Sequence, residues 1–431
     1  MTRPINADVP TVEAKKPSAP KAPKRRRKPV PGALKAVAGL FVLAVVFIVA
    51  AILGGGGGGE DRGTEAPAPV SEAPSTPAEA PAAVTPEELG YPSFATANTT
   101  RVGGSDAAST AAAVALAAYP SAKPSQRPPA VTLVDAGDWR TATAAAALTA
   151  SPVGAPVLIS EADGMPDATA EALSALAPSG SKDTGGAQVF SIGAADTPDD
   201  LRTHRVRREG AAGAAELLAL RERLTGSPPR HIVIAPTASP AFAMPAAAWA
   251  ARSGDPVLFS GPKALAKPTA TALEAHPQTP VFVLGPSSAV SSDVVREIAK
   301  LAPHVRRVSG EDPVANAIEL ARYSDGGFGW NINDPGHGFV VANAAEPLDA
   351  PAAAALSVSG TWGPLLLTDD ADTLPSALRG YLLDVKPGYT NDPTRAFYNH
   401  VWVIGDQGAI SVNEQAEIDE LAALAKIGGE E

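Results

Sequence analysis

The residues best suited to chemistry in this chain are arginines that recur at similar places: Arg101, Arg205, Arg207, Arg208, Arg306 and Arg307. A guanidinium is a planar fork of N–H donors that grips phosphate or carboxylate at two points. Where such a fork stands near a helix N-terminus, the free backbone N–H groups of the first turn also favour anions. These six are therefore the candidate ligand-binding residues. The competing reading for each is a solvated charge paired with a local Asp or Glu.

Other chemistries find little support. His204, His231, His276, His304, His337 and His400 are scattered, with no His-Glu-x-x-His and no pair at helical ligand spacing. Cysteine is absent, which excludes disulfides, thiolate metal sites and a Cys nucleophile. There is no Gly-x-Ser-x-Gly elbow and no phosphate loop. Asp369, Asp370 and Asp372 could hold a divalent cation, but a charge run of this kind reads first as a solvated loop. Trp139 and Trp249 fall within or beside helices and read as packing, whereas Trp330, Tyr389 and Tyr398 fall in loops and read as exposed aromatics. The expectation is a binding protein, not an enzyme, with no cofactor and no metal.

The elements that must position these arginines are announced by a repeat. Gly154-Ala155-Pro156-Val157-Leu158-Ile159-Ser160 returns as Gly254-Asp255-Pro256-Val257-Leu258-Phe259-Ser260 and as Gly363-Pro364-Leu365-Leu366-Leu367-Thr368. Pro suits a strand's first position, and a short continuous apolar run suits a strand buried on both faces of a parallel sheet. Apolar strands ending in Gly193, Gly285 and Gly405 form a second repeat, and Ala-rich helices intervene. Strand–helix alternation at about one hundred residues per period predicts three tandem α/β modules with parallel sheets. Aromatics make up only 5% of the chain, so the cores must be built from Ala, Val, Leu and Ile. The wider spacing of the last two glycines places an insertion in the third copy, at residues 386–400.

Charge divides the chain. Residues 1–35 hold ten Lys and Arg against two acids; the whole chain carries −11, so the remainder carries −19. A basic head on an acidic body reads as membrane topology, and nucleic acid is not an expected partner. Val37 to Leu53 is apolar apart from Gly39 and follows Lys24-Arg25-Arg26-Arg27-Lys28. Together they read as a single-pass anchor with a cytoplasmic N-terminus and an extracytoplasmic body; a cleaved signal peptide is the competing reading. A glycine run and a Pro-, Ala- and Glu-rich stretch then form a disordered stalk. The expected divisions are a basic cytoplasmic tail (1–35), a transmembrane helix (36–53), the stalk (54–97) and modules at 98–201, 202–303 and 304–431.

Residues 98–424 resemble the cell-wall-binding repeat type 2 modules of Gram-positive surface proteins. Arg101-Val102-Gly103-Gly104 and Arg307-Val308-Ser309-Gly310 match the family's opening turn, and Arg205-Val206-Arg207-Arg208 is a degraded form of it. Val283-Leu284-Gly285-Pro286-Ser287-Ser288-Ala289-Val290-Ser291 and Val403-Ile404-Gly405-Asp406-Gln407-Gly408-Ala409-Ile410-Ser411 match its closing strand. The Asp-Arg-Tyr usual after the opening turn is not kept: Asp106 and Asp312 are followed by Ala107 and Pro313. The resemblance implies Rossmann-like, flavodoxin-like modules in a pseudo-threefold unit that attaches non-covalently to an anionic cell-wall polymer or peptidoglycan. A small-molecule sensor using a cleft between modules, and an envelope enzyme, are the alternatives.

Overall fold

The computed structural model describes residues 94–427 apart from Ser359 and Thr361, all within one compact unit. The expected cytoplasmic tail and transmembrane helix, and the stalk up to Ser93, lie outside the described residues. Among the described residues no helix is long and apolar enough to cross a membrane. The last residues assigned to the stalk belong to the fold, because Phe94–Ala95 is already a strand.

The first part of the chain forms strands β1 (Phe94–Ala95), β2 (Thr99–Val102), β3 (Val131–Asp135), β4 (Val157–Ser160), β5 (Val189–Ile192) and β6 (Thr203–Val206). Helices α1 (Ala107–Ala118), α2 (Trp139–Ala145) and α3 (Asp167–Leu176) lie between them. The middle holds β7 (Ile232–Pro236), β8 (Val257–Ser260), β9 (Val281–Leu284) and β10 (Val305–Val308), with α4 (Gly210–Thr225), α5 (Pro240–Ser253), α6 (Lys267–Ala275) and α7 (Ser292–Leu301). The last part holds β11 (Gly338–Asn343), β12 (Trp362–Thr368), β13 (Gly388–Tyr389), β14 (His400–Ile404) and β15 (Ala425–Lys426). Its helices are α8 (Pro313–Arg322), α9 (Asp349–Ala353), α10 (Ser376–Asp384) and α11 (Val412–Ala422).

The strands form three parallel sheets of one order: β4-β3-β5-β6, β8-β7-β9-β10 and β12-β11-β14-β2, here sheets I, II and III. The α/β class with parallel sheets and several modules follows directly. Each sheet takes its last strand from across an expected module boundary. Residues read as opening turns, Arg205-Val206 and Arg307-Val308, are the ends of edge strands β6 and β10. Arg101-Val102 ends β2, which pairs with β14 near the other end of the chain and carries β1 antiparallel on its outer side. The helix after each such strand packs on a different sheet: α1 on β4, α4 on β8 and α8 on β12. Each strand–turn–helix therefore staples two sheets, and β2 closes the series into a ring.

The Pro-led repeat is buried, as its apolar run demands, but it occupies the sheet edge and not its centre. Edge placement is where a residue without an N–H costs least. Pro364 sits at a register shift between β11 and β12, where it is passed over in the pairing. Those edges stay dry because α1, α4 and α8 lie against them. At the centre, α2, α5 and α9 meet one another through buried alanines, Ala142 and Ala145, Ala246 to Ala248, and Ala350 to Ala354. Small side chains let the helices approach closely, which accounts for the Ala-rich, aromatic-poor composition.

The insertion in sheet III is double. Residues 323–337 precede β11 and residues 386–399 precede β14, and buried Asn399 ties them together. Its Oδ1 accepts from the Gly336 and His337 N–H groups (2.8 and 3.2 Å), and its Nδ2 donates to the Val385 carbonyl (2.8 Å). Trp330, expected to be exposed, packs edge-on against Trp249 at 5.6 Å, beside a stacked Phe282–Phe328 pair.

Candidate functional site: the arginine strands

Register makes three arginines equivalent. Arg101 pairs with Val403, Arg205 with Ser191 and Arg307 with Val283, each one residue before the strand's closing Val. That Val accepts a hydrogen bond from the glycine ending the neighbouring strand: Gly405 to Val102 (3.2 Å), Gly193 to Val206 (2.9 Å) and Gly285 to Val308 (3.0 Å). Gly285 and Gly405 adopt left-handed backbone angles, and a Cβ on Gly405 would stand 2.8 Å from Ala409. The Gly-x-x-x-Ala spacing seen in both copies is thus a packing rule for a tight strand-to-helix loop.

Arg101 and Arg307 clamp that loop. The Arg101 side chain donates to the carbonyls of Gly405 (3.0 Å), Asp406 (2.6 Å) and Ile410 (2.6 Å) and to Gln415 Oε1 (3.0 Å). It is only 2% exposed. Burial pulls its pKa down, and the nearby Asp406 and Glu414 charges oppose that pull. Arg307 donates to the equivalent carbonyls, Gly285 (2.6 Å) and Val290 (2.7 Å). The expectation that Arg101 meets a ligand is therefore corrected. Its donors are spent internally and water does not reach it. Arg307 spends donors in the same way but stays half-buried.

The remaining candidates are on the surface. Arg205 is exposed, with one guanidinium nitrogen bonded to Thr197 Oγ1 and another at 3.5 Å from Ser191 Oγ. Arg207 and Arg208 are exposed just beyond β6, Arg208 standing 4.0 Å from Glu216. Arg306 is exposed on β10, 3.6 Å from Asp325.

Beside the outer edge of β6 runs a groove of about 530 Å³ lined by Arg202, His204 and Arg223, together with the turn at Thr184 to Ala187. Arg202 Nε donates to the Gly186 carbonyl (2.8 Å). Arg223 forms no ion pair or side-chain hydrogen bond among the described residues. The His204 pKa is lowered by burial first and by the Arg223 charge second, with Glu216 opposing, so its ring is neutral at pH 7. Sequence reasoning missed Arg223, because nothing in the sequence says that the last turn of α4 returns to the edge strand.

Acidic groups gather instead at the strand C-terminal end of sheet III. Asp349, 4% exposed, is pushed up to about 7 by burial and by Glu346 and Asp406. Glu414, 1% exposed, is also pushed up to about 7, by burial and by Asp370, Glu417 and Asp372 against a pull from the Thr368 hydroxyl. Asp370 Oδ1 accepts from the Asp372 N–H (2.8 Å), which makes that run a braced loop. Among the described residues no group of three or more His, Asp or Glu side chains is arranged to hold a metal ion. A buried His–carboxylate pair, His231 Nδ1 to Asp255 Oδ2 at 3.0 Å, also takes the Trp249 indole N–H (3.0 Å) and sits edge-on to Phe282 and Phe328. That arrangement is a packed structural anchor.

Comparison with known proteins places part of this architecture. Residues 307–414 match the model of the family described as cell wall binding domain 2 (CWB2). The match begins at the clamp arginine of β10 and ends in the first turn of α11. No curated protein matches the chain in sequence. Among solved structures, Cwp8 from Clostridium difficile is similar with a TM-score of 0.57 and 18% identity, over 76% of this chain and 52% of that one. Cwp6 from the same organism is similar with a TM-score of 0.57 and 17% identity, over 76% and 48%. These likenesses define a shared fold, and this chain spans about half the length of either structure.

Proposed function

We propose that the chain is an extracytoplasmic, non-enzymatic wall-binding protein, and that the basic edge of sheet I holds an anionic cell-wall polymer. The observation that carries this reading is the groove beside β6 lined by Arg202, His204 and exposed Arg223, with exposed Arg205, Arg207 and Arg208 on and just beyond the same strand, on a body that is acidic as a whole. At physiological salt the screening length is about 8 Å, so a bound polymer feels the local cations far more than the distant acids. The match of residues 307–414 to a cell wall binding family supports the same reading, and Arg306 on β10 is a secondary contact. Three modules acting as one unit, and a single-pass membrane anchor at residues 36–53 with a cytoplasmic tail, complete the proposal.

A sensor with a deep apolar pocket draws no comparable support. The cleft where Ser151 and Pro152 face Arg221 and Asp255, of about 360 Å³, is partly polar, and Arg221 is spent on the carbonyls of Ala147 and Ser151. Co-sedimentation of the purified full-length chain with purified sacculi tests the proposal. Binding should fall steeply as salt rises, and a triple Arg207→Ala, Arg208→Ala, Arg223→Ala variant should bind at least about tenfold more weakly. Absence of sedimentation at low salt would sink it.

A further inference from the structure

We infer that residues 388–398, in the insertion before β14, form a binding subsite for a neutral saccharide. The inference concerns the end of sheet III opposite its acidic loops, and it does not rest on the anionic-polymer reading. Phe397 is 71% exposed and Tyr398 is 54% exposed, side by side in the chain. Ala396, which precedes them, lines a cleft of about 380 Å³ with Tyr389, Thr390, Asn391, Asp392, Arg395 and Ile427, and Phe397 itself lies beside Gly336 of the other insertion. Among the residues whose burial is described, the other aromatic rings are buried or half-buried, so two exposed rings in sequence stand out.

The frame around the cleft is built. Tyr398 Oη donates to the Pro393 carbonyl (2.7 Å), and Asp392 Oδ1 accepts from the Thr394 N–H (3.0 Å) and hydroxyl (2.7 Å). β13 pairs with β15 on one side, and Asn399 fixes the base of the segment to the other insertion. Within this frame the Asn391 amide and the Arg395 guanidinium make no side-chain hydrogen bond or ion pair among the described residues. Preorganised groups lose little freedom on binding, so the frame favours affinity.

The chemistry selects the ligand. A pyranose has an apolar C–H face, which packs on an aromatic ring, and a rim of hydroxyls that both donate and accept. Asn391 offers both roles, Asp392 accepts and Arg395 donates as a fork. Asp392 and Arg395 cancel in charge, so the cleft lacks the cationic excess that a polyanion requires, and its polar rim is a poor match for a purely apolar partner.

The test is titration of the purified full-length chain with chitohexaose, a neutral β-1,4-linked amino-sugar hexamer, followed by calorimetry and ligand-observed NMR. At about 0.5 M salt polyanion contacts are screened, so the result is separate from the sacculus experiment. Saturable binding is expected, weakened by about tenfold or more in each of Phe397→Ala and Arg395→Ala and unchanged in the Arg207→Ala, Arg208→Ala pair. Both substituted side chains are exposed, and an unchanged melting temperature would confirm intact folding. Failure of chitohexaose, cellohexaose and maltohexaose alike to bind would overturn the inference. So would binding insensitive to Phe397→Ala, or a shift from dimer to monomer in that variant by sedimentation, which would assign the rings to a second copy of the chain.

Discussion

β2 and β6 occupy the same place in sheets III and I, carry the same Arg-Val ending, and do different work. Arg205 on β6 reaches two hydroxyls and faces solvent, whereas Arg101 on β2 is sealed among four acceptors, one of them Gln415 of α11. The loop after the neighbouring strand explains the difference: no helix lies between β5 and β6, whereas α7 and α11 follow the loops that Arg307 and Arg101 clamp. Arg205 and its partner Ser191 are 14 residues apart, while Arg101 and Gly405 are 304 apart. Closing the longer loop costs about 3 kcal/mol more in chain entropy. Charge-assisted hydrogen bonds, worth about 1.5–3 kcal/mol each when buried, can offset that cost. Arg307 makes the same clamp over only 22 residues, so what sets β2 apart is that its clamp also closes the longest loop of the fold.

The contrast extends to the helix after the glycine loop. Ser291 in sheet II caps the Val294 N–H (3.3 Å) and Ser411 in sheet III caps the Glu414 N–H (3.2 Å), so Val294 and Glu414 are equivalent. Sheet II buries an apolar residue there, and sheet III buries a carboxyl whose oxygens close no hydrogen bond of good geometry. The next position is Val295 in sheet II and Gln415 in sheet III, and Gln415 bridges Arg101 to Thr99 Oγ1 (2.9 Å). Ring closure has thus put polar groups where its counterpart uses simple packing.

The largest expected effect comes from Arg101→Met. It keeps much of the volume but strands three buried carbonyls and Gln415, and should cost about 3–5 kcal/mol in urea unfolding. Arg205→Met should stay within about 1 kcal/mol. Equal losses in the two variants would break the comparison.

Next is Glu414→Val, which installs the sheet II solution. A carboxyl whose folded pKa is raised from 4.5 to about 7 binds more protons in the native state, so its stabilising share is full below pH 4.5 and is lost as pH rises through 7. The variant should gain about 2–3 kcal/mol at pH 8 and much less at pH 4.5. Asp349 shifts in the same direction, so the wild-type curve must be subtracted from the variant's at each pH. A pH-independent difference would show that Glu414 is not the group being stranded.

The smallest effect belongs to β1. Of the described residues, a chain beginning at Thr96 loses a two-residue edge strand, and its unfolding free energy should fall by about 1 kcal/mol or less. Faster amide exchange along β2 without a large loss of global stability would sharpen the view that Arg101, and not β1, holds the closure.

Much of this was legible in residue order. Pro-led apolar runs marked strands, Ala-rich stretches marked helices, and the glycines after apolar runs marked strand ends, because each reflects a local rule of backbone angle or side-chain volume. The roles of the arginines were not legible. Arg101, Arg205 and Arg307 look alike in sequence, and whether a guanidinium faces water or a ring of carbonyls depends on which strand and which helix lie beside it. Arg223 and His204 face one groove only because α4 returns to β6. The exposure of Phe397 and the packing of half-buried Trp330 on Trp249 depend likewise on two insertions that meet at Asn399.

By itself, then, the sequence determined the α/β alternation, the repeated module and the small-residue core, since these follow from periodicity and side-chain size. The tertiary structure alone decided that each repeat lends its arginine strand to a neighbouring sheet and that the first such strand closes on the last sheet. It also decided which arginines remain free. Hydrogen-bond partners and desolvation are set by residues up to hundreds of positions away, and no local pattern records them.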